Sequence, residues 1–292
     1  MHAEAAPRAL RASLTILLLT CLTMVAFAAN SLLTRAALQT TGIDAASFTA
    51  IRVAGGAATL LIVLRLQGGR LERTRTAWLS ALLLFAYVAA FTFAYRGIGT
   101  GAGALVLFAC AQLLMISYGL SKGERASPWG LLLALGGLAV FLAPSASAPP
   151  PLPAAMMALA GFAWGGFSLL GKASGSPIAN TATSFLWAVP LAAVLLLVAG
   201  TARPGGLHPD PAGAAYALVS GSVTSGLGYA VWYWVRTRMT AIGAGAVQLS
   251  VPVISALLGV LLLGEHVTAR SALSGLATLG GVAWVTLTAR KA

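Results

Sequence analysis

The chain has 292 residues, of which 59% are hydrophobic and 8% charged. A soluble domain carries about 25% charged residues, so a water-facing globule is excluded and a polytopic membrane protein is expected. The net charge of +12 does not indicate nucleic acid, because the basic residues stand singly or in short groups between apolar runs and form no basic face.

In chain order, Arg8 and Arg11 precede the apolar run from Leu14 to Ala29, and Ala26-Phe27-Ala28 imitates a signal-peptide cleavage site. Phe27-Ala28 and Arg35-Ala36 nevertheless have counterparts in Phe162-Ala163 and Lys172-Ala173. The run therefore reads as an uncleaved first spanning helix. Ten apolar segments are expected, at 14–34, 47–66, 77–96, 100–121, 128–144, 153–171, 181–200, 212–234, 241–263 and 271–289. Each is near the roughly 20 residues a spanning helix needs. The predicted fold class is an all-α integral membrane protein with ten transmembrane helices. The uncharged, Pro-rich link from Pro144 to Pro153 divides them into two five-helix halves, 1–148 and 149–292.

The halves repeat one another. Gly101-Ala102-Gly103-Ala104 recurs as Gly243-Ala244-Gly245-Ala246, and Gly123-Glu124 recurs at nearly the same offset as Gly264-Glu265. Gly136-Gly137 is echoed by Gly280-Gly281. A self-match of this kind marks two copies of one architecture. Five spans per half is an odd number, so the second half enters the membrane upside down, as in the inverted repeats of many transporters. With both termini in the cytoplasm, most of the basic residues fall inside, and only Arg35, Arg52, Arg96, Arg203 and Arg270 fall outside. That is the orientation the positive-inside rule selects.

These features resemble the drug/metabolite transporter superfamily in its ten-helix EamA-type branch. The resemblance rests on the two Gly-Ala-Gly-Ala openings, Gln248-Leu249-Ser250-Val251-Pro252-Val253, Leu263-Gly264-Glu265 and the paired glycines; Asn30, Arg35 and Arg52 also fit. It covers nearly the whole chain after residue 12. It implies a carrier of small metabolites, similar to bacterial amino acid exporters, including those for aromatic amino acids. It further implies a central cavity lined by the third, fourth, eighth and ninth helices, with contributions from the first and sixth. Cys110 stands opposite Pro252 in the repeat, which departs from a symmetric proline hinge.

The candidate substrate-binding residues are Tyr87, Phe91, Gln112, Trp164, Ser225, Tyr229, Gln248 and Ser250. Tyr87 and Phe91 share one face of the third helix, and Tyr229 and Tyr233 stand at the matching repeat positions on the eighth. A tyrosine hydroxyl or Trp N–H deep in a span needs a partner, and a wet cavity supplies one; packing and an interfacial aromatic belt are the alternatives. Ser222, Ser225 and Tyr229 form one stripe, suited to lining or to close packing. Gln112 and Gln248 are costly in a bilayer and should face the bundle interior. Pro252 cannot donate to the Gln248 carbonyl, so a mid-helix kink is expected there. Pro252, Tyr95 and Tyr233 are the candidate gating residues.

No catalytic, cofactor or metal-binding set is expected. Gly99-Thr100-Gly101-Ala102-Gly103-Ala104 matches G-x-G-x-x-A but lacks the strand that a dinucleotide motif requires, and reads better as a small-residue helix entrance. Cys21 and Cys110 both lie in apolar runs. His2, His208 and His266 and the six acids sit in tails, loops or span edges, so no acid/base cluster forms. Arg35, Arg52 and Arg96 are placed toward helix ends, and Glu124 and Glu265 are read as loop anchors or gate contacts. The expectation is a monomeric transporter in the cytoplasmic (inner) membrane, partnered by lipid and by a neutral or zwitterionic metabolite, most simply an amino acid, which it exports by alternating access. A nucleoside or cationic drug is the alternative cargo; a membrane enzyme or a channel is a weaker fit.

Overall fold

A computed structural model describes residues 5–72, 76–125, 127–143, 148–171, 176–202, 206–236, 238, 247–288 and 290–291; the side chains of residues 5–13, 124, 171, 177, 233, 290 and 291 lie outside the description. The chain runs through α1 (Ala5–Thr40), α2 (Ala45–Leu66), α3 (Thr76–Ala94), α4 (Thr100–Ser121), α5 (Pro128–Leu142), α6 (Pro151–Gly171) and α7 (Pro177–Ala202). It continues through α8 (Pro211–Val219), a π-helical segment (Ser220–Leu227), α9 (Gly228–Arg236), α10 (Ser250–Leu263) and α11 (Ala269–Thr288). Seven described helices are long and apolar enough to cross a membrane, and α5 and α10 are shorter apolar helices. The molecule is a multi-pass, membrane-embedded helical protein.

Helix starts follow local chemistry. Asp44, Ser127 and Asp210 cap α2, α5 and α8 by accepting backbone N–H bonds, and Pro128 and Pro211 open the latter two. Gly264, at φ 64°, takes the left-handed conformation that ends α10. The outer surface is apolar, with Leu197 70% and Leu261 75% exposed, while Asn30, Arg52, Thr92, Gln112, Ser220 and Ser255 are buried. That inversion of the soluble pattern follows from a lipid solvent, which tolerates leucine and penalises unsatisfied polar groups.

Packing is dense where glycine permits. α5 crosses α11 through Gly137, whose absent side chain makes room for Thr278, and Gly281, which makes room for Ala134. Gly101 admits Ala256 of α10 against α4, so the first Gly-Ala-Gly-Ala does provide a close helix contact; the second lies outside the described residues. α3 packs on α6 and α7, and α1 packs on α9, α10 and the π segment. α2 lies between α7 and the π segment, and α4 contacts α6 and α10.

Two expectations change. The eighth segment is not uniformly α-helical, because Ser220–Leu227 is π-helical. Arg52 is not near a helix end: it lies two turns inside α2 and is 0% exposed.

Candidate functional site

The candidate centre is an aromatic cluster closed around one arginine. Trp164 (α6) stacks on Tyr229 (α9) with centroids 5.4 Å apart and planes at 22°. Tyr87 (α3) lies 5.1 Å from Trp164 and 5.5 Å from Phe91. Phe27 (α1) meets Tyr229 edge-on at 5.7 Å and Trp232 at 5.9 Å, and Phe185 (α7) closes the Tyr229 side at 6.0 Å. Such pairs are worth roughly 0.5–1.5 kcal/mol each beyond burial. Tyr87, Trp164 and Tyr229 are 5%, 6% and 3% exposed, so the cluster is shut in this conformation.

Arg52 enters from α2. Its guanidinium lies over the Phe91 ring at 4.8 Å and the Tyr87 ring at 5.6 Å, and Nη2 donates to the Tyr87 hydroxyl at 3.1 Å. Nε and Nη1 are buried with no hydrogen-bond partner among the described residues. Next to this group the halves are tied by Asn30, whose Oδ1 accepts from Ser220 Oγ at 2.6 Å and Thr224 Oγ1 at 3.1 Å in the π segment.

A second assembly closes one end. Gly99 offers α4 no side-chain cap, and Glu265, from beyond the end of α10, supplies it. The Thr100 amide donates to both carboxylate oxygens at 2.8 and 2.7 Å, and the Thr100 hydroxyl donates to Oε1 at 3.0 Å. Arg35 Nε lies 3.5 Å from the same carboxylate, while Arg35 Nη1 donates to the Tyr95 carbonyl at 2.7 Å. Tyr95, fully buried, donates to the Thr100 carbonyl at 3.2 Å. A groove of about 820 Å³ between α4, α10 and α11 reaches Arg35, Pro252 and Glu265 but none of the aromatic cluster.

A smaller clasp sits in the α1–α2 turn. Asp44 accepts from the Ala46 and Ser47 amides, the Ser47 hydroxyl and the His208 amide, at 2.9, 3.0, 2.6 and 2.9 Å. Burial pushes its carboxyl upward, but the bonds from Ser47, His208 and Ala46 outweigh that and hold it below the ordinary carboxylate range.

The structure thus brings Tyr87, Phe91, Trp164 and Tyr229 together. Ser225 is buried in the π segment, with its hydroxyl unpartnered among the described residues, and Gln112 Nε2 is likewise buried and unpartnered. The ring contacts do not extend to Gln112. Gln248 and Ser250 are half-buried at the start of α10, where Ser250 donates to the Val247 carbonyl at 2.7 Å. Tyr95 joins the Glu265 assembly; the Tyr233 side chain lies outside the described residues. Residue-level reading misses Phe27, Phe185 and Trp232 as cluster members and Arg52 as its cation. The repeat aligns Tyr87 with Tyr229, but it carries no signal for partners without a counterpart in the other half.

Comparisons place this geometry among known proteins. Residues 152–287 match the EamA-like transporter family. Protein PA1977 of Pseudomonas aeruginosa, described as uncharacterized, is 50% identical over 272 residues, covering 92% of this chain and 93% of its own. A solved crystal structure, 20% identical, superposes with a TM-score of 0.65 over 91% of this chain and 98% of its own, a likeness of fold. The chain belongs to the EamA-like transporter family, whose members carry small substrates across membranes.

Proposed function

We propose that this transporter exports small metabolites, amino acids first among them, across the cytoplasmic membrane by alternating access between two inverted five-helix halves. The observation that carries the reading is the aromatic cluster itself. It draws Phe27, Tyr87 and Phe91 from the first half and Trp164, Phe185 and Tyr229 from the second, at the seam where a transporter of this build holds its cargo.

Helix pairing supports the repeat. α3 against α6 answers α1 against α9 and the π segment, while α5 against α11 and α2 against α7 are self-answering pairs. Loop contacts support the sidedness. Asp44 meets His208, Thr100 meets Glu265, and Arg270 donates to the Val140 and Ala143 carbonyls; Glu72 meets Ser176 and Thr183, and Glu124–Arg125 pairs with Arg290–Lys291. The first three contacts fall on one side of the expected topology and the others on the opposite side. With the basic residues inside, both termini are cytoplasmic and the Glu265 assembly faces outward.

The test is flux through proteoliposomes of the purified chain, against amino acids, nucleosides and cationic drugs, with and without a pH difference. Wild type is expected to pass amino acids down their own gradient. Trp164→Ala and Tyr229→Ala should each cut that flux by about tenfold or more, the loss of one apolar wall. Nucleoside or drug flux with no amino acid flux would replace the cargo class. Wild-type flux in both variants would remove the cluster from the pathway.

A further inference from the structure

The Arg52 guanidinium is the feature that the fold does not itself explain. It is 0% exposed, it uses one donor on the Tyr87 hydroxyl, and Nε and Nη1 have no partner among the described residues. Arginine carries its charge at any physiological pH. A buried charge is tolerated when it is paired, yet the described carboxylates are occupied elsewhere. Glu265 holds Thr100 and Arg35, Asp44 holds the α2 cap and His208, Glu72 holds Ser176, and Asp210 caps α8. The Phe91 and Tyr87 faces offset part of the cost but leave the guanidinium edge without an anion. A guanidinium binds a carboxylate through two parallel N–H bonds, from Nε with Nη2 or from Nη1 with Nη2, and Tyr87 takes only one of the two Nη2 hydrogens, so one fork stays free.

We propose that Arg52 is the carboxylate anchor of the transported molecule. The missing anion arrives with the cargo: its carboxylate takes the fork that Tyr87 leaves open, Nη2 with either Nε or Nη1, and its apolar body lies along Tyr87, Phe91 and Trp164. The inference rests on the transporter reading and narrows it, since it selects carboxylate-bearing solutes, including zwitterionic amino acids, and rejects cationic drugs and nucleosides. It also supplies the compensating charge near the cluster that placement of Arg52 at a helix end would have withheld.

The experiment measures the melting temperature of the purified full-length protein in detergent. Probes are L-phenylalanine, L-phenylalaninamide, phenylacetate, chloride and phosphate at matched ionic strength, on wild type, Arg52→Met and Arg52→Lys. The carboxylates are expected to raise the wild-type Tm while the amide and the inorganic anions do not. Arg52→Met should lose the shift, with binding weaker by at least about tenfold, and Arg52→Lys should keep part of it. Without ligand, Arg52→Met should melt at or above wild type, because an unpaired buried charge has been replaced by an apolar chain. The proposal is overturned by equal shifts for acid and amide, by no carboxylate shift in wild type, by an equal shift with chloride or phosphate, or by a carboxylate shift that survives in Arg52→Met. A Tm of Arg52→Met well below wild type would make the guanidinium a structural group and overturn it too. Proteoliposome flux separates the two readings. Flux with Arg52-independent binding removes the anchor alone; Arg52-dependent binding without flux removes the transporter alone. A shift by phenylacetate and not by phenylalanine keeps the anchor and changes the cargo from amino acids to simple acids.

Discussion

Replacing Glu265 by Gln keeps the shape of the side chain and removes its charge. The cap on Thr100 then loses the extra strength of an ionised acceptor, which roughly doubles a hydrogen bond. An anion at a helix N-terminus contributes about 0.3–1 kcal/mol, and Arg35 loses an ion pair whose side chains are only 13% and 17% exposed. Together these come to roughly 3 kcal/mol, about a hundredfold in an equilibrium constant. The assembly ties α1, the α3–α4 turn and the end of α10, so that energy weighs directly on whether this end stays shut. Met157 lies under it, 0% exposed and packed beside Gly103 and Tyr95. A Met157→Cys probe, with Cys21 and Cys110 replaced by Ala, reports opening through its rate of alkylation by a maleimide. Adding Glu265→Gln should raise that rate by up to about a hundredfold. An unchanged rate with an unchanged Tm would refute the claim that this carboxylate holds the end closed.

Two other outcomes follow from the loops. Asp44 has a folded pKa below its unfolded value, so its contribution is present above about pH 4 and is lost as pH falls through the folded value; Asp44→Asn, which keeps an N-cap but loses acceptors for Ser47 and His208, should lower Tm at pH 7 by the equivalent of about 1–2 kcal/mol and flatten the acid limb, and an acid limb as steep as wild type would assign the pH dependence elsewhere. Single cysteines at Ser121 and Thr268, both exposed, should be labelled from opposite faces of intact cells, and labelling from one face would end the inverted-repeat reading.

Hydropathy makes the membrane class and most helix positions legible, because a lipid solvent writes itself into long apolar runs. The constant offset between the two halves also makes the Tyr87/Tyr229 pairing legible, although Trp164 joins it only through packing. Depth is harder to read than length. Arg52 looks terminal when the second apolar segment is started at residue 47; Asp44 begins α2 at Ala45, and the arginine falls two turns inside. Glu265 reads as an anchor or gate contact, but its partners Thr100 and Arg35 both belong to the other half of the chain, and no local pattern joins them. The ninth apolar run reads as one helix from residue 241, whereas helix is interrupted at Leu249, between residues 247–248 and α10, one turn from Pro252.

The π segment gives the eighth rod a reserve of rotation. Its i→i+5 bonding holds a surplus over regular α winding, and it is pinned at its start by the Ser220 bond and at its middle by the Thr224 bond to Asn30. Rewinding the same residues as α would turn everything downstream by roughly one residue, about 100° about the axis. Tyr229 and Trp232 would swing off Trp164 and Phe27 while α8 stayed where Asp210 caps it. The cluster could then be unstacked by torsion in one rod, without tilting any helix through the bilayer. Spin labels on Trp234 and Leu218, both exposed, would read that torsion as a change of distance between the cargo-free and cargo-bound protein, and a distance unmoved by cargo would rule it out.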